Sequence, residues 1–221
     1  MYPPVTNFAL AILGALLLAL FVIVEVGLIR KAYERLGISH RAVSLLLLMM
    51  IFGSYINIPI ATIASHGIVQ DQVIYYWGVP YVVPTVRHVG RTEIAINVGG
   101  ALIPFFTSLW VVTRTGVFVK AAIAVAIVSV VVYHFATIVP GVGIAVPTLI
   151  PGILAAMVAS LLDRRRSPAI AFAAGTLGCL IGADIMNLPK IGAMHAPIAS
   201  IGGAGTFDGV FVSGLIAVLL A

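Results

Sequence analysis

The chain has 221 residues, of which 62% are hydrophobic and only 9% are charged. A soluble domain carries about 25% charged residues, because its surface has to remain in water. The composition therefore predicts a single transmembrane domain over residues 1–221 and excludes a separate soluble domain. The net charge of +5 does not indicate a nucleic-acid partner, since the basic residues stand in short loops, where they orient membrane proteins.

Seven apolar runs follow one another, each close to the roughly 20 residues that a membrane-crossing helix requires. They predict an all-α integral membrane fold with transmembrane helices over residues 8–29, 42–64, 93–113, 117–138, 144–162, 168–186 and 198–220. The first run lacks a basic leader and a small-residue cleavage site, so we expect it to be retained rather than removed as a signal peptide.

The stretch 65–92 is the longest polar-leaning segment. Residues 73–77 and 81–83 are rich in β-branched and aromatic side chains, and a Gly78-Val79-Pro80 turn separates them. This pattern predicts a small β-hairpin. Because tyrosine and tryptophan favour the headgroup layer, we expect the hairpin to be an extracytoplasmic insertion.

Basic residues are concentrated on one side of the predicted membrane. Three stand on the other side, Arg87, Arg91 and Lys190, against nine on the first: Arg30, Lys31, Arg35, Arg41, Arg114, Lys120, Arg164, Arg165 and Arg166. Cytoplasmic loops carry the excess of Lys and Arg. The bias predicts a multi-pass protein of the cell membrane with its N-terminus outside and its C-terminus in the cytoplasm.

Two pairs of short motifs recur in the same order. Asn57-Ile58-Pro59 resembles Asn187-Leu188-Pro189, and Asn97-Val98-Gly99-Gly100-Ala101 resembles Ser200-Ile201-Gly202-Gly203-Ala204. They predict a 3+1+3 parallel repeat, known among transporters, with halves 8–113 and 144–220 and a linker helix 117–138. The alternative is chance similarity between apolar segments whose glycines serve helix packing.

Acidic residues inside predicted spans require a reason: Glu25 lies about one turn from Arg30 and can reach the interface, whereas Asp184 lies in the sixth span and Asp208 in the seventh. A charge at the centre of a membrane helix costs about 2.5–3.5 kcal/mol, so such residues are functional candidates by default. Antiparallel neighbouring helices would bring both aspartates into the outer half of the membrane. We expect a substrate or ion pathway there, formed with Glu93, Asn97, Asn57 and Asn187 and with backbone opened at Gly99, Gly100, Gly202, Gly203 and Gly205. In the structural alternative, both acids pair with loop backbone, Lys190 or His195.

Three segments carry a resemblance to a known family: residues 93–104, the Gly182-Ala183-Asp184 segment that continues to Asn187, and residues 202–209 with the sequence GGAGTFDG. They resemble an uncharacterised family of prokaryotic membrane proteins, classified as a domain of unknown function. The resemblance covers essentially the whole chain. It implies a polytopic membrane protein and no assigned activity.

A second, weaker resemblance is to the presenilin and signal-peptide-peptidase class of intramembrane proteases, which use one aspartate from each of two adjacent helices. Two carboxylates that share a proton can activate water. In this chain, however, Asp208 stands in Phe207-Asp208-Gly209 instead of the Gly-x-Gly-Asp motif of that class, and the Pro-Ala-Leu motif is absent. The resemblance implies Asp184 and Asp208 as the catalytic pair.

Three functions remain open at this point. The first is a small transporter or permeation protein, coupled to protons or cations, that takes an unknown small solute or ion. The second is an intramembrane aspartyl hydrolase, and the third is a non-catalytic scaffold or lipid-binding protein. We expect no cofactor and no metal, since the only cysteine is Cys179 and the sequence contains neither a phosphate-binding loop nor a zinc-binding His-Glu-x-x-His pair. The expected partners are the lipid bilayer and, in a homo-oligomer, further copies of the chain.

Overall fold

A computed structural model describes residues 26–64, 72–76, 79–83, 91–139, 143–147, 149–194, 196–203 and 209–221. These residues form a mostly helical structure with one three-stranded sheet and two short strand pairs. The predicted first span, residues 8–29, lies largely outside them.

The helices are short, and several begin or end at residues that the sequence marks for this role. Prolines stand in the first turns of α3 and α6, and α3 ends at Gly116, whose φ is +66°. Proline suits a first turn because its missing N–H has no helical partner there, and glycine accepts the left-handed conformation that ends a helix. The helices are α1, described over Val26–Arg35, α2 His40–Gly53, α3 Ile103–Thr115, α4 Phe118–Phe135, α5 Leu149–Leu162, α6 Ser167–Cys179 and α7 Gly209–Leu220.

Three irregular helical segments extend or follow these helices. The π-helical segment Val98–Leu102 leads directly into α3, the π-helical segment Leu180–Ile185 continues α6, and the 3₁₀ helix Leu188–Met194 comes next. Single π turns inside helices are rare and occur frequently at functional sites. Two of the predicted spans therefore contain a change of helical type instead of a continuous α-helix.

The three-stranded sheet was not predicted and corrects the all-α expectation. Its strands are β1 Asn57–Ala64, β4 Arg91–Asn97 and β7 Ile198–Ile201. Their order in the sheet is β1-β4-β7, with β4 antiparallel to β1 and parallel to β7. Two further strand pairs are β2 Gln72–Tyr76 with β3 Val79–Val83, and β5 Thr137–Val139 with β6 Gly143–Ala145.

The sheet takes residues from three predicted spans. Predicted span 42–64 is α2 followed by β1, predicted span 93–113 starts as β4, and predicted span 198–220 starts as β7. The register between β1 and β4 shifts between Pro59 and Ala61, which fits a proline, because it has no N–H for the strand ladder. Continuous apolar runs do not distinguish a buried strand from a helix by periodicity, which explains the error.

The predicted hairpin in residues 65–92 coincides with the antiparallel pair β2–β3, in which Val73 pairs with Val82. Trp77 and Gly78 in its turn lie outside the described residues.

Helix α6 is the centre of the helical part. Its residues are mostly buried, and it packs against α3, α4, α5 and α7. Glycines permit this close approach: a Cβ on Gly178 would stand 2.6 Å from Val128 Cγ1, and a Cβ on Gly175 would stand 2.7 Å from the Ser213 carbonyl oxygen. Small residues that bring helix backbones together are typical of helix packing in membranes.

Arginines connect the loops at one end of the helices. Arg35 donates to the carbonyl oxygens of Val218 (2.7 Å) and Ala221 (3.1 Å). In the same way Arg114 donates to Gly37 (3.1 Å) and Arg166 donates to Thr115 (2.8 Å). We call this end of the molecule the basic end. It gathers basic residues that the sequence analysis assigned to one side of a membrane.

Two helices among the described residues are long and apolar enough to cross a membrane, Phe118–Phe135 and Ser167–Ile185. The pair Val26–Arg35 and His40–Gly53 passes the same test only as one broken segment, with a bend of 117°. Helices α5 and α7 are apolar but shorter.

Candidate functional site

Polar side chains from four elements meet where β4 and β7 end. We define the strand-end site by six residues: Asn57, Asn97, Gly100, Asp184, Ser200 and Gly202. The four polar side chains come from β1 (Asn57), β4 (Asn97), the π segment after α6 (Asp184) and β7 (Ser200). Because β4 and β7 are parallel, their carboxyl ends lie at the same edge of the sheet. The chain turns at this edge into irregular backbone whose polar groups need partners.

Asn97 is the centre of the site and is completely buried. Its Oδ1 accepts a hydrogen bond from the Gly100 N–H (2.7 Å), and its Nδ2 donates to the Ser54 carbonyl (2.8 Å) and to Asn57 Oδ1 (3.1 Å). The amide thus uses both of its donor hydrogens. Asn97 caps the π segment that opens α3 and ties it to the segment between α2 and β1.

Asn57 and Ser200 continue this network to the surface. The Ser200 hydroxyl donates to Asn57 Oδ1 at 2.7 Å, so that oxygen accepts from both β4 and β7. Asn57 is exposed. A solute that reaches this edge of the sheet therefore meets an amide whose orientation the two neighbouring strands already hold.

Asp184 joins the site through the backbone of Gly202. Its Oδ2 accepts a hydrogen bond from the Gly202 N–H at 2.7 Å. Gly202 and Gly203 have φ values of +86° and +69°, a left-handed conformation that glycine adopts without the steric penalty of a side chain. Only the Gly202 N–H is directed at Asp184; the Gly203 N–H donates to the Ser200 carbonyl (3.2 Å).

The two glycine-containing strand ends touch each other. A Cβ on Gly100 would collide with the Gly202 carbonyl oxygen, and a Cβ on Gly202 would lie 2.6 Å from Ala101 Cβ. A Cβ on Gly99 would stand 2.5 Å from the Ser54 nitrogen. The backbone of the π segment therefore packs directly on the ends of α2 and β7, and only glycine fits at these positions.

The predicted site residues are distributed as follows. The structure brings together Asn57, Asn97 and Asp184 with Gly99, Gly100 and Gly202. Glu93 lies elsewhere, exposed near the opposite end of β4, where its N–H donates to the Pro197 carbonyl (3.0 Å). Asp208, Gly205 and His195 lie outside the described residues.

Asn187 is buried but belongs to a separate contact group. Its Nδ2 donates to the carbonyls of Gly182 (3.1 Å) and Ala183 (3.0 Å), and its Oδ1 accepts from Lys190 Nζ (3.0 Å). The Lys190 ammonium also lies 4.4 Å from the centre of the Tyr133 ring. Asn187 thus closes the π segment that carries Asp184, and Lys190 pairs with Asn187.

Sequence reasoning missed Ser200 as a member of the site. It occupies the position that matches Asn97 in the second copy of the motif, and that match is the signal that could have included it. Sequence reasoning also missed three buried hydroxyls without a hydrogen-bond partner among the described atoms, on Ser108, Ser129 and Thr176. No pattern in an apolar helix marks such residues, because one hydroxyl does not alter its periodicity.

The strand-end site places a carboxylate, the exposed Asn57 amide and the Ser200 hydroxyl beside irregular backbone, with the buried Asn97 amide holding them in position. These oxygens suit hydrogen-bonded solutes and hard cations, and Asp184 can exchange a proton. Across the described ranges, no three His, Cys, Asp or Glu side chains come close enough together to hold a metal ion.

The described residues form a mostly helical structure with a small sheet, and two of the helices are long and apolar enough to cross a membrane. The chain belongs to the DUF1614 family, described as a protein of unknown function, whose model matches residues 51–220. No curated protein and no solved structure matches the chain significantly. The predicted resemblance to an uncharacterised family is confirmed at this level, and the match includes every residue of the strand-end site.

Proposed function

We propose that this chain is a multi-pass membrane protein that carries a small solute or cation, coupled to protons, with Asp184 in the pathway. The observation that carries the proposal is the position of an acidic residue, Asp184, on a π-helical break inside an apolar helix. Discontinuous helices with polar backbone at their breaks form the substrate and ion sites of many transporters.

The exterior of the helices supports a place in the membrane. On α4, Phe118, Val119, Ile123, Ile127 and Val130 are all exposed. An apolar helix surface of this kind is typical of lipid contact, and a soluble protein of this size would cover it. We propose that the seven apolar runs of the sequence span the bilayer, with the short helices completed by the strand and π segments next to them.

The basic end supports the proposed orientation. Arg35 ends α1, Arg114 and Lys120 lie on either side of the turn between α3 and α4, and Arg166 directly precedes α6. Arg91 begins β4, and Lys190 lies in the 3₁₀ helix Leu188–Met194. Under the positive-inside rule, the basic end faces the cytoplasm and the strand-end site opens toward the outer side.

The contact between β4 and β7 supports the proposed repeat. The two matching Gly-Gly motifs follow parallel neighbouring strands, and their backbones meet at Gly100 and Gly202. Halves related by an axis along the membrane normal would place equivalent segments side by side and parallel in this manner.

The first prediction concerns proton flux. In liposomes that contain the full chain and an internal pH dye, an inside-negative potential should drive proton uptake. Asp184→Asn should reduce that uptake at least about tenfold, because a pathway acid acts through its charge and the amide can still accept from Gly202. We expect the same loss for Asp208→Asn. Asp163→Asn, which removes an acid from a loop at the basic end, is the matched control and should leave uptake unchanged.

The other outcomes identify the alternatives. Unchanged uptake in both variants would overturn the transport proposal. If a fluorogenic peptide of transmembrane type were cleaved by the parent and not by either variant, the pair would be the catalytic centre of an aspartyl hydrolase. If the parent and both variants are equally stable and none of them shows proton flux or peptide cleavage, the chain would be a non-catalytic scaffold.

A further inference from the structure

An apolar groove of about 460 Å³ runs between α2 and α3, away from the strand-end site. Two helices line it with side chains one turn apart: Ala42, Leu45 and Met49 on α2, and Ile103, Phe106 and Trp110 on α3. Its surface is almost entirely apolar. The hydroxyl of Thr107, which also lines it, donates back to the Ile103 carbonyl (2.8 Å). The groove therefore suits hydrocarbon and cannot hold a peptide backbone or a polar solute.

The groove has the dimensions of part of a lipid chain. The stretch from Ala42 to Met49 corresponds to about 10 Å along α2 at 1.5 Å per residue, two thirds of the roughly 15 Å depth of one membrane leaflet. Leu45, Met49 and Phe106 are each exposed by half or more. Among the described residues, the groove is thus open from the side of the helices, in the direction that lipid would approach.

One end of the groove is basic and aromatic. The Arg114 guanidinium lies 5.0 Å from the centre of the Trp110 ring, and its Nη1 donates to the Gly37 carbonyl. A guanidinium has five N–H donors in a planar fork that matches a phosphate. Arg41, one turn before Leu45, is also exposed. The acid nearest in the chain, Glu34, is paired with His40 at 2.9 Å.

We propose that this groove binds one acyl chain of an anionic phospholipid, with the lipid phosphate held by Arg114 and Arg41 beside Trp110. The charge at the groove end selects the headgroup, since basic residues at a membrane surface favour anionic lipids, and tryptophan favours the same depth. The site rests only on the membrane placement in the proposed function. It does not involve Asp184 or the transport step.

The test uses the fluorescence of Trp110. The chain has two tryptophans, so Trp77→Phe leaves Trp110 as the single fluorophore. The full chain is placed in liposomes of unbrominated phosphatidylcholine. One series adds increasing fractions of phosphatidylglycerol with brominated acyl chains, and the other adds phosphatidylcholine with brominated acyl chains. The bromine atoms quench tryptophan fluorescence on contact. We expect half-maximal quenching at an anionic lipid fraction about threefold to fivefold lower than that of the neutral lipid.

Variants separate a bound lipid from general surface charge. Arg114→Gln should remove the preference, and Arg114→Lys should keep part of it. Arg164→Gln removes the same charge from the same end of the molecule, away from the groove, and should keep the full preference. Ala42→Phe, which fills the groove, should reduce quenching by both lipids.

Three results would overturn the proposal: equal quenching by the two brominated lipids, an equal loss in Arg164→Gln and Arg114→Gln, or no quenching at all. The last result would mean that another segment or a second copy covers the groove. Asp184→Asn should not change the lipid preference. Proton flux that does not depend on Asp184 would therefore overturn the transport proposal and leave the lipid-site proposal standing. Equal quenching by the two brominated lipids would overturn the lipid-site proposal and leave the transport proposal standing.

Discussion

At the strand-end site, the backbone conformation determines which residue fits at a position as much as the polar groups of the side chains do. Gly202 combines a φ of +86° with a neighbour 2.6 Å from any added Cβ, and its N–H is held by Asp184. A side chain at this position would strain the backbone and push β7 away from the π segment. The carboxylate and the glycine thus form one unit, in which the glycine presents the donor that positions the acid.

Gly202→Ala should lower the stability of the folded chain by about 2 kcal/mol or more, since the left-handed conformation disfavours a Cβ by about 1–2 kcal/mol and overpacking adds about 1–3 kcal/mol. Heat-induced labelling of Cys179, the buried and only cysteine, would report the shift in the melting temperature. Gly27→Ala is the matched control, because a Cβ there meets nothing within 4 Å. Equal melting temperatures would contradict the argument.

At this scale five of the six residues of the strand-end site were candidates from the sequence, and only Ser200 was missed. Polar residues are rare in this apolar chain, and for that reason Asn57, Asn97 and Asp184 could be selected as candidates from the sequence. Their roles were not visible: the Asn97 amide is bonded to the Gly100 N–H, the Ser54 carbonyl and the Asn57 side chain. Glu93 lies far from the others along β4. Which polar side chains meet depends on strand register, and a sequence without alternating polarity does not specify register.

At the scale of elements, the apolar runs predicted where most helices lie, but α3, α5 and α7 begin later than the runs and α2 ends earlier. The runs did not predict that α2 stops at Gly53 and continues as β1. The reason is physical. A helix that faces lipid and the edge strand β1, which is exposed and mostly apolar, both have continuous apolar sequences, so the hydrophobic pattern has neither a period of 2 nor one of 3.6.

Packing between α4 and α6 depends on Gly178 in the same way. Gly178→Val should weaken the folded chain by about 1–3 kcal/mol through overpacking, because Val128 occupies the space at 2.6 Å. A melting curve followed by circular dichroism would measure the loss. Gly209→Ala, where the nearest atom would be Cys179 Sγ at 3.9 Å, should melt close to the parent; an equal loss in both variants would contradict a specific helix contact.

At the scale of the whole molecule, the two ends of the helices differ in kind. The strand-end site is held by amides, a carboxylate and glycine backbone, while the basic end is held by arginines that bond carbonyl oxygens of neighbouring loops. Lys120 adds an ion pair between the start of α4 and the end of α5, with its Nζ 2.7 Å from Asp163 Oδ2. These contacts hold the connected segments at fixed positions relative to one another, so a substitution that displaces one segment also displaces the next.

The Lys120–Asp163 pair predicts how this end responds to acid. The side-chain hydrogen bond from Lys120, with further backbone hydrogen bonds from Arg166 and Arg165, holds the pKa of Asp163 below its usual value. A folded-state pKa that is lower than the unfolded one adds stability above the unfolded value of about 4, and that stability disappears as the pH falls through the folded pKa. The difference in melting temperature between the parent and Asp163→Asn should therefore be full at pH 7 and shrink below pH 4. Lys120→Met, which keeps the backbone donors, should have an intermediate effect. A difference that stays constant down to pH 2 would show that the carboxylate charge does not stabilise the basic end.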